Sequence, residues 1–178
     1  MQEYSAAGDG RQIMLKLVKN MFVQYDIYFT IAQKNGIIIL LIFKEVIIMN
    51  EVYEFLKKCE TYYLATVEGD QPRVRPFGSI DMFEDKLYIL TGKVKDVSKQ
   101  IQQNPKFEIC ACDNGKWLRV SGELVRDDRY EPKAHMLETY PALKAMYSAD
   151  DDNTEVLYFR NATAVFSSFT EAPKTIKF

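Results

Sequence analysis

The chain has 178 residues, 47% of them hydrophobic and 27% charged, a balance that fits a globular protein of one domain with something added. Its net charge of −2 gives no bulk attraction to a phosphate backbone, which argues against a nucleic-acid partner. A single histidine excludes a histidine-rich metal centre and speaks against a Ser-His-Asp or Cys-His engine. Three cysteines without disulfide-framework spacing point to reduced thiols and a cytoplasmic location.

Residues 1–48 do not share the pattern of the rest. Their apolar run, Ile37 to Phe43, is interrupted by Lys44 and Glu45 before Val46-Ile47-Ile48. It falls short of the roughly 18 apolar residues that a spanning helix needs, so no membrane segment is expected. It also lies too deep in the chain for an ordinary signal peptide. Two readings stay open: an N-terminal extension that packs on the domain, or a stretch outside the natural protein with Met49 as its start. The second is preferred, because Met49 to Lys58 opens as an amphipathic helix with Val52, Phe55 and Leu56 on one face. Residues 49–178 are then the domain.

Strands follow this helix. Thr61 to Val67 is rich in β-formers, and Glu68-Gly69-Asp70 makes a hairpin turn into Pro72 to Gly78. Pro72 and Pro76 each remove a ladder donor, which places that second strand at an edge or a bulge. Ser79 to Phe83 and Lys86 to Thr91 come next, then a helix over Lys95 to Gln103 that Asn104-Pro105 stops. Phe107 to Cys112 and Trp117 to Val125 form a hairpin around Asn114-Gly115. After Asp127-Asp128 a helical stretch is predicted to about Ala149, with Met136, Leu137, Tyr140, Leu143, Met146 and Tyr147 as a core stripe. Asp150 to Asn153 reads as a solvated loop, because it lacks the spaced ligands of a calcium loop. Glu155 to Phe159 and Ala162 to Ser167 are two last strands joined at Arg160-Asn161, followed by a tail to Phe178. His135, in a helical context, reads as a solvated or capping residue.

Two segments carry candidate chemistry. Arg73 and Arg75 alternate along one strand and project to the same side, where guanidinium groups grip phosphate oxygens or lie against a flat ring. Thr91 to Lys99 spans a strand-to-helix junction, where free amides and the helix dipole favour an anion, and Lys95 and Lys99 share a helical face. Pro76 frees backbone around Val74 to Phe77 for a planar ligand, and Trp117 can line an aromatic wall or simply pack. Tyr62, Tyr63 and Arg119 are pocket candidates that packing also explains. Cys110 and Cys112 share a strand face, but two thiolates do not close a zinc site. No Gly-x-Gly-x-x-Gly or Walker loop is present.

Taken in order, Tyr63 to Gly78, Leu87 to Thr91, Lys95 to Lys99, Asn104-Pro105 and Trp117 to Gly122 resemble the pyridoxamine 5′-phosphate oxidase-like flavoproteins. The resemblance covers residues 51–178. It implies a mainly β (α+β) fold, a six-stranded antiparallel split β-barrel with flanking helices, that forms a homodimer with FMN at the subunit interface. It implies FMN contacts from Arg73, Val74, Arg75, Pro76 and Phe77, from Thr91, from Lys95 and Lys99 on the phosphate, and from Trp117 across the dimer. Asp96 and Val97 stand where the oxidase proper carries an Arg-Lys pair, and the C-terminal segment lacks its substrate-binding arginine. The implied function is an FMN-dependent oxidoreductase acting on a small molecule with an electron donor, other than the vitamin B6 oxidase. The alternatives are a non-catalytic flavin-binding or electron-transfer module, and a split barrel that holds haem or a deazaflavin.

Overall fold

The computed structural model describes residues 49–178; the apolar run and the N-terminal extension lie outside the described residues. Residues 49–59 are helical (α1) and bury Val52 and Leu56, one turn apart, against the sheet. Glu60, at φ 57, ends the helix and turns the chain into β1.

Eight strands form one antiparallel sheet. They are β1 (Tyr62–Glu68), β2 (Gln71–Phe77), β3 (Asp81–Phe83), β4 (Lys86–Gly92), β5 (Lys106–Asp113), β6 (Lys116–Asp127), β7 (Thr154–Ser168) and β8 (Lys174–Lys177). Their order is β2-β1-β5-β6-β7-β4-β3, with β8 added on β7. Six of them are seven residues or longer, and β3 and β8 are short additions. These six are the strands of the split barrel. Their inward residues, among them Leu64, Ile89, Ile109, Leu118, Val120 and Leu157, share one core and are excluded from water. Each contributes about 1.5–3 kcal/mol by burial.

The two last strands expected around Arg160-Asn161 are one continuous strand. β7 passes that point with Asn161 at φ 51, opposite a register shift between Ser121 and Glu123 on β6. Gly122 makes the bulge possible, because a Cβ there would lie 3.0 Å from both Ala162 Cα and the Arg160 carbonyl oxygen. One half of β7 then pairs with β4 and the other with β8, while β6 runs beside both.

The helical stretch expected to reach Ala149 also differs. α2 (Asp96–Gln103) is as expected, but α3 (Tyr130–Thr139) stops at Tyr140, and Pro141–Ala145 is a 3₁₀ turn. Proline disfavours helical backbone in the residue before it, and Tyr140 sits at φ −125. Met136, Leu137, Tyr140, Leu143 and Tyr147 still pack together, with Tyr88, Leu90 and Val156 from the outer face of β4 and β7. Met146 does not join them and is 66% exposed.

Polar clasps fix this segment to the sheet. The Tyr140 hydroxyl donates to the Ile80 carbonyl (2.8 Å) and accepts from the Ile80 amide (3.1 Å). His135 does not stand in solvent alone: its Nδ1 lies 2.6 Å from Oδ2 of buried Asp81, whose other oxygen accepts from Thr139. Tyr88 donates to Asp127, and Arg129 bridges Asp127 and Glu84. Hydrogen bonds from Arg129 hold the Asp127 carboxyl at about 2, below its usual 3.8. A carboxyl lowered in the folded state stabilises the fold above its unfolded pKa, and the contribution fades as pH falls toward 2. The thermal midpoint should therefore drop between about pH 4 and pH 2, and Asp127→Asn should flatten part of that slope while lowering the midpoint at neutral pH. Thermal melts across this range check both.

Candidate functional site

The edge strand β2 and the start of α2 meet over the end of the barrel. The two-residue turn Gly69-Asp70 pairs Glu68 with Gln71, which sets Arg73 opposite Thr66 and Arg75 opposite Leu64. Thr66 and Leu64 face inward, so both arginines lean over the barrel mouth. Arg73 is closed off by Glu68, at 2.6 Å from Nη2 and 2.8 Å from Nε.

Arg75 is different. Its Nη1 donates to Thr66 Oγ1 (2.6 Å) and the Leu64 carbonyl (3.2 Å), and its Nη2 donates to Gln100 Oε1 (2.7 Å). Thr66 in turn donates to Gln100 Oε1 at 2.6 Å. All these partners are neutral, and among the described residues no carboxylate pairs with Arg75. Burial lowers the Arg75 pKa from its usual value, and the neighbouring Arg73 charge adds to the effect. An anion beside this guanidinium would relieve both.

Two cavities flank Arg75. One of about 580 Å³ is lined by Arg75 to Ser79, Leu90, Thr91, Lys95, Val97 and the Thr139–Tyr147 segment. The other, about 470 Å³, is lined by Glu68, Arg73, Val74, Arg75, Lys95, Asp96, Val97 and Gln100. Arg75, Lys95 and Val97 belong to both, so the two form one groove. No side chain caps the first turn of α2, and its opening residues line the smaller cavity. Uncapped amides and the helix dipole therefore sit beside Arg75. Thr91 is 1% exposed and lines the larger cavity, yet its Oγ1 has no hydrogen-bond partner. A buried unpaired hydroxyl costs about 1–3 kcal/mol, so a ligand atom that satisfies it gains that much.

Of the nine residues singled out in the sequence, Arg73, Val74, Arg75, Pro76, Phe77, Thr91 and Lys95 line the groove. Lys99 and Trp117 do not. Lys99 Nζ lies 3.1 Å from Asp96 on the exposed side of α2, while Lys95 Nζ turns over the Tyr147 ring, 5.6 Å from its centre. Trp117 packs against Phe169, with ring centres 5.2 Å apart and planes tilted by 58°. Gln100, Thr66, Ser79 and the Thr139–Tyr147 wall were not read from the sequence. Counting the hairpin register from Gly69-Asp70 would have found Thr66, but no local signal marks Gln100. Among the described residues no cluster of three metal-ligating side chains exists, and no helix is long and apolar enough to cross a membrane. Cys59, Cys110 and Cys112 are free thiols.

The sequence model of the pyridoxamine 5′-phosphate oxidase family matches residues 48–166, and the chain belongs to this family of split barrels. It is similar to a NimC/NimA family protein of Clostridium acetobutylicum, with 45% identity over 75% of this chain and 94% of that one and a TM-score of 0.73. General stress protein 26 of Bacillus anthracis shares the fold at 16% identity, over 73% and 98% of the two chains, with a TM-score of 0.57. A haem-binding protein of Mycobacterium smegmatis shares it at 12% identity, over 70% and 56%, with a TM-score of 0.54. No curated protein matches the chain.

The loop between β4 and α2 is tied down from outside the groove. The Lys93 amide donates to the Asn153 carbonyl (2.7 Å) and the Val94 amide to Asn153 Oδ1 (3.2 Å). A Cβ on Gly92 would lie 3.0 Å from Asn153 Oδ1. Asp151 organises the separate loop that carries Asn153 by accepting from the Thr154, Asn153 and Ser148 amides, which hold its carboxyl at about 2. That turn is therefore braced from within. Gly92→Val should push Asn153 away, and hydrogen exchange at Lys93 and Val94 should accelerate at least tenfold, with β1 and β5 amides unchanged.

Proposed function

We infer that residues 49–178 bind FMN in this groove as a homodimer, and that the protein is an FMN-dependent oxidoreductase acting on a small molecule in the cytoplasm. The observation that carries this reading is Arg75: a guanidinium without a counter-anion, beside an uncapped helix start and a buried unpaired hydroxyl. Family membership supports the same cofactor.

Arg75 and Lys95 would meet the phosphate charge, with the opening amides of α2 as further donors. Thr91 would bond the flavin or its ribityl chain, and the backbone of Val74 to Phe77 would face the ring. Phe77, Tyr140 and Tyr147 supply apolar walls that exclude water. When bound, FMN supplies the electron or hydride transfer. Among the described residues, the carboxylates that line the two cavities, Glu68 and Asp96, are engaged by Arg73 and Lys99. That favours redox chemistry carried by the cofactor over proton transfer by a side chain, and it serves an electron-transfer module equally well.

The dimer reading draws on the outer sheet face, where Tyr63 and Val74 are 53% and 67% exposed and Trp117 stands further along. Val74 also borders the groove, so a second copy covering this face would adjoin the cofactor. The C-terminal strand β8 carries no arginine, and pyridoxamine 5′-phosphate is not the expected substrate.

Purified protein should show oxidised-flavin absorption or take up added FMN; a colourless protein that ignores FMN would sink the reading. Arg75→Ala and Lys95→Ala should each weaken FMN by about 1–3 kcal/mol and riboflavin, which lacks the phosphate, by much less. Trp117 is the sole tryptophan, so its emission reports directly on flavin proximity. FMN should quench it in the dimer, and unquenched emission from a fully loaded dimer would remove Trp117 from the site.

A further inference from the structure

A second orphaned polar atom lies beside the first. Along β4, Thr91 follows Leu87 and Ile89 on the face that forms the main core, and its cross-strand partner on β7 is Glu155. Arg126 of β6 pairs with Leu157 and so points to the same face. Three polar side chains thus end the barrel core under α2. Glu155 is 1% exposed; one of its carboxylate oxygens accepts from Arg126 Nε, and the other has no partner. Arg126 also reaches Ser98 Oγ on α2 at 3.5 Å.

A carboxylate paired with a guanidinium accepts hydrogen bonds through its oxygens. Its free oxygen needs a donor, and the directly opposed Thr91 carries an unpartnered one. Side chains so paired have Cβ atoms about 4.5–5.5 Å apart, within reach of a hydroxyl that turns toward the free oxygen. A threonine hydroxyl has one proton and two lone pairs, so a proton committed to Glu155 leaves only acceptor capacity toward the cavity.

The geometry points to Glu155 as a positioning residue that makes Thr91 an obligate acceptor in the groove. The ligand atom seated on Thr91 is then a donor, a chain hydroxyl or an imide N–H, and a ligand carbonyl is refused there. Only the identity of that ligand as FMN rests on the function inferred above.

The first test needs no ligand. Thr91→Val is nearly isosteric; with the proton committed to Glu155, it strands a buried carboxylate oxygen and should lower the thermal midpoint by several degrees, whereas Thr91→Ser should not. In a Glu155→Gln background, where the amide can serve as its own donor, the same substitution should cost little. A Thr91→Val protein as stable as the parent overturns the proposal, as does an equal loss in both backgrounds. The valine and serine comparison stands alone if Glu155→Gln does not fold. The second test is a cycle of FMN affinities. Thr91→Val and Glu155→Gln should each weaken FMN about tenfold and the double variant no further, while additive losses overturn the coupling. Parent protein that binds no FMN would defeat the flavin reading and leave the stability comparison to judge the Thr91–Glu155 contact.

Discussion

The fork of Arg75 holds the groove together. One guanidinium on the edge strand reaches the Leu64 carbonyl and Thr66 on β1 and Gln100 on α2, so three elements share one planar donor set. Lysine could not replace it, because a single ammonium does not span acceptors on two elements at once. The strand that carries it must be an edge, since Pro72 and Pro76 cannot donate to a second neighbour. Backbone chemistry thus puts the arginine at the rim, and the hydrogen-bond fork turns it inward.

Charge is distributed unevenly around this point. Arg73, Lys99 and Arg129 are each met by a carboxylate, and so is the half-buried Arg126, but Arg75 has only neutral partners. A half-buried cation held by dipoles alone is well placed to take an anion as its remaining partner. The opposite asymmetry occurs a few residues away, where Glu155 keeps one free oxygen in the core. The mouth of the barrel therefore has a positive rim at Arg75 and, beside Thr91, a floor where the ion-paired Glu155 keeps one free acceptor oxygen. A ligand with a phosphate at one end and donors along its chain matches that polarity, whereas a flat ligand without a phosphate leaves the rim unpaired.

Much of the fold was legible because its signals are local. Alternation, the Asn114-Gly115 turn, the prolines of β2 and the strand-to-helix step at Thr91 mark five of the six long strands and α2 without reference to distant residues. What escaped depends on tertiary partners. Nothing near Asn161 announces that β7 continues, because the kink is absorbed by Gly122 on another strand. The stripe from Met136 to Tyr147 is real as a packing surface, yet Pro141 breaks the helix that was expected to carry it, and Met146 is left outside. His135 reads as a surface residue until Asp81, on a three-residue strand 54 positions away, is placed beside it. The groove shows the same division: its cations and threonine stand in recognisable local contexts, whereas Gln100 and Glu155 acquire meaning only from the register of other strands and the packing of α2.

The fold alone does not choose the ligand, since a haem-binding protein shares it at 12% identity. The choice must lie in the groove, and there the chain departs from the oxidase pattern in an instructive way. The resemblance to the oxidases sets Asp96 and Val97 at the positions of an Arg-Lys pair; the first turn of α2 then offers amides and a dipole but no cation of its own beyond Lys95. On the function proposed above, the anion-binding load would fall on the edge strand. A counter-charge supplied by the protein would then neutralise the half-buried, forked Arg75 at the centre of the groove. Lys95, resting on the Tyr147 ring, by contrast has no carboxylate partner among the described residues and could turn toward a phosphate without breaking an ion pair. In the proposed FMN complex, a guanidinium that orients and a lysine that follows would divide the binding of the phosphate between the two sides of the groove.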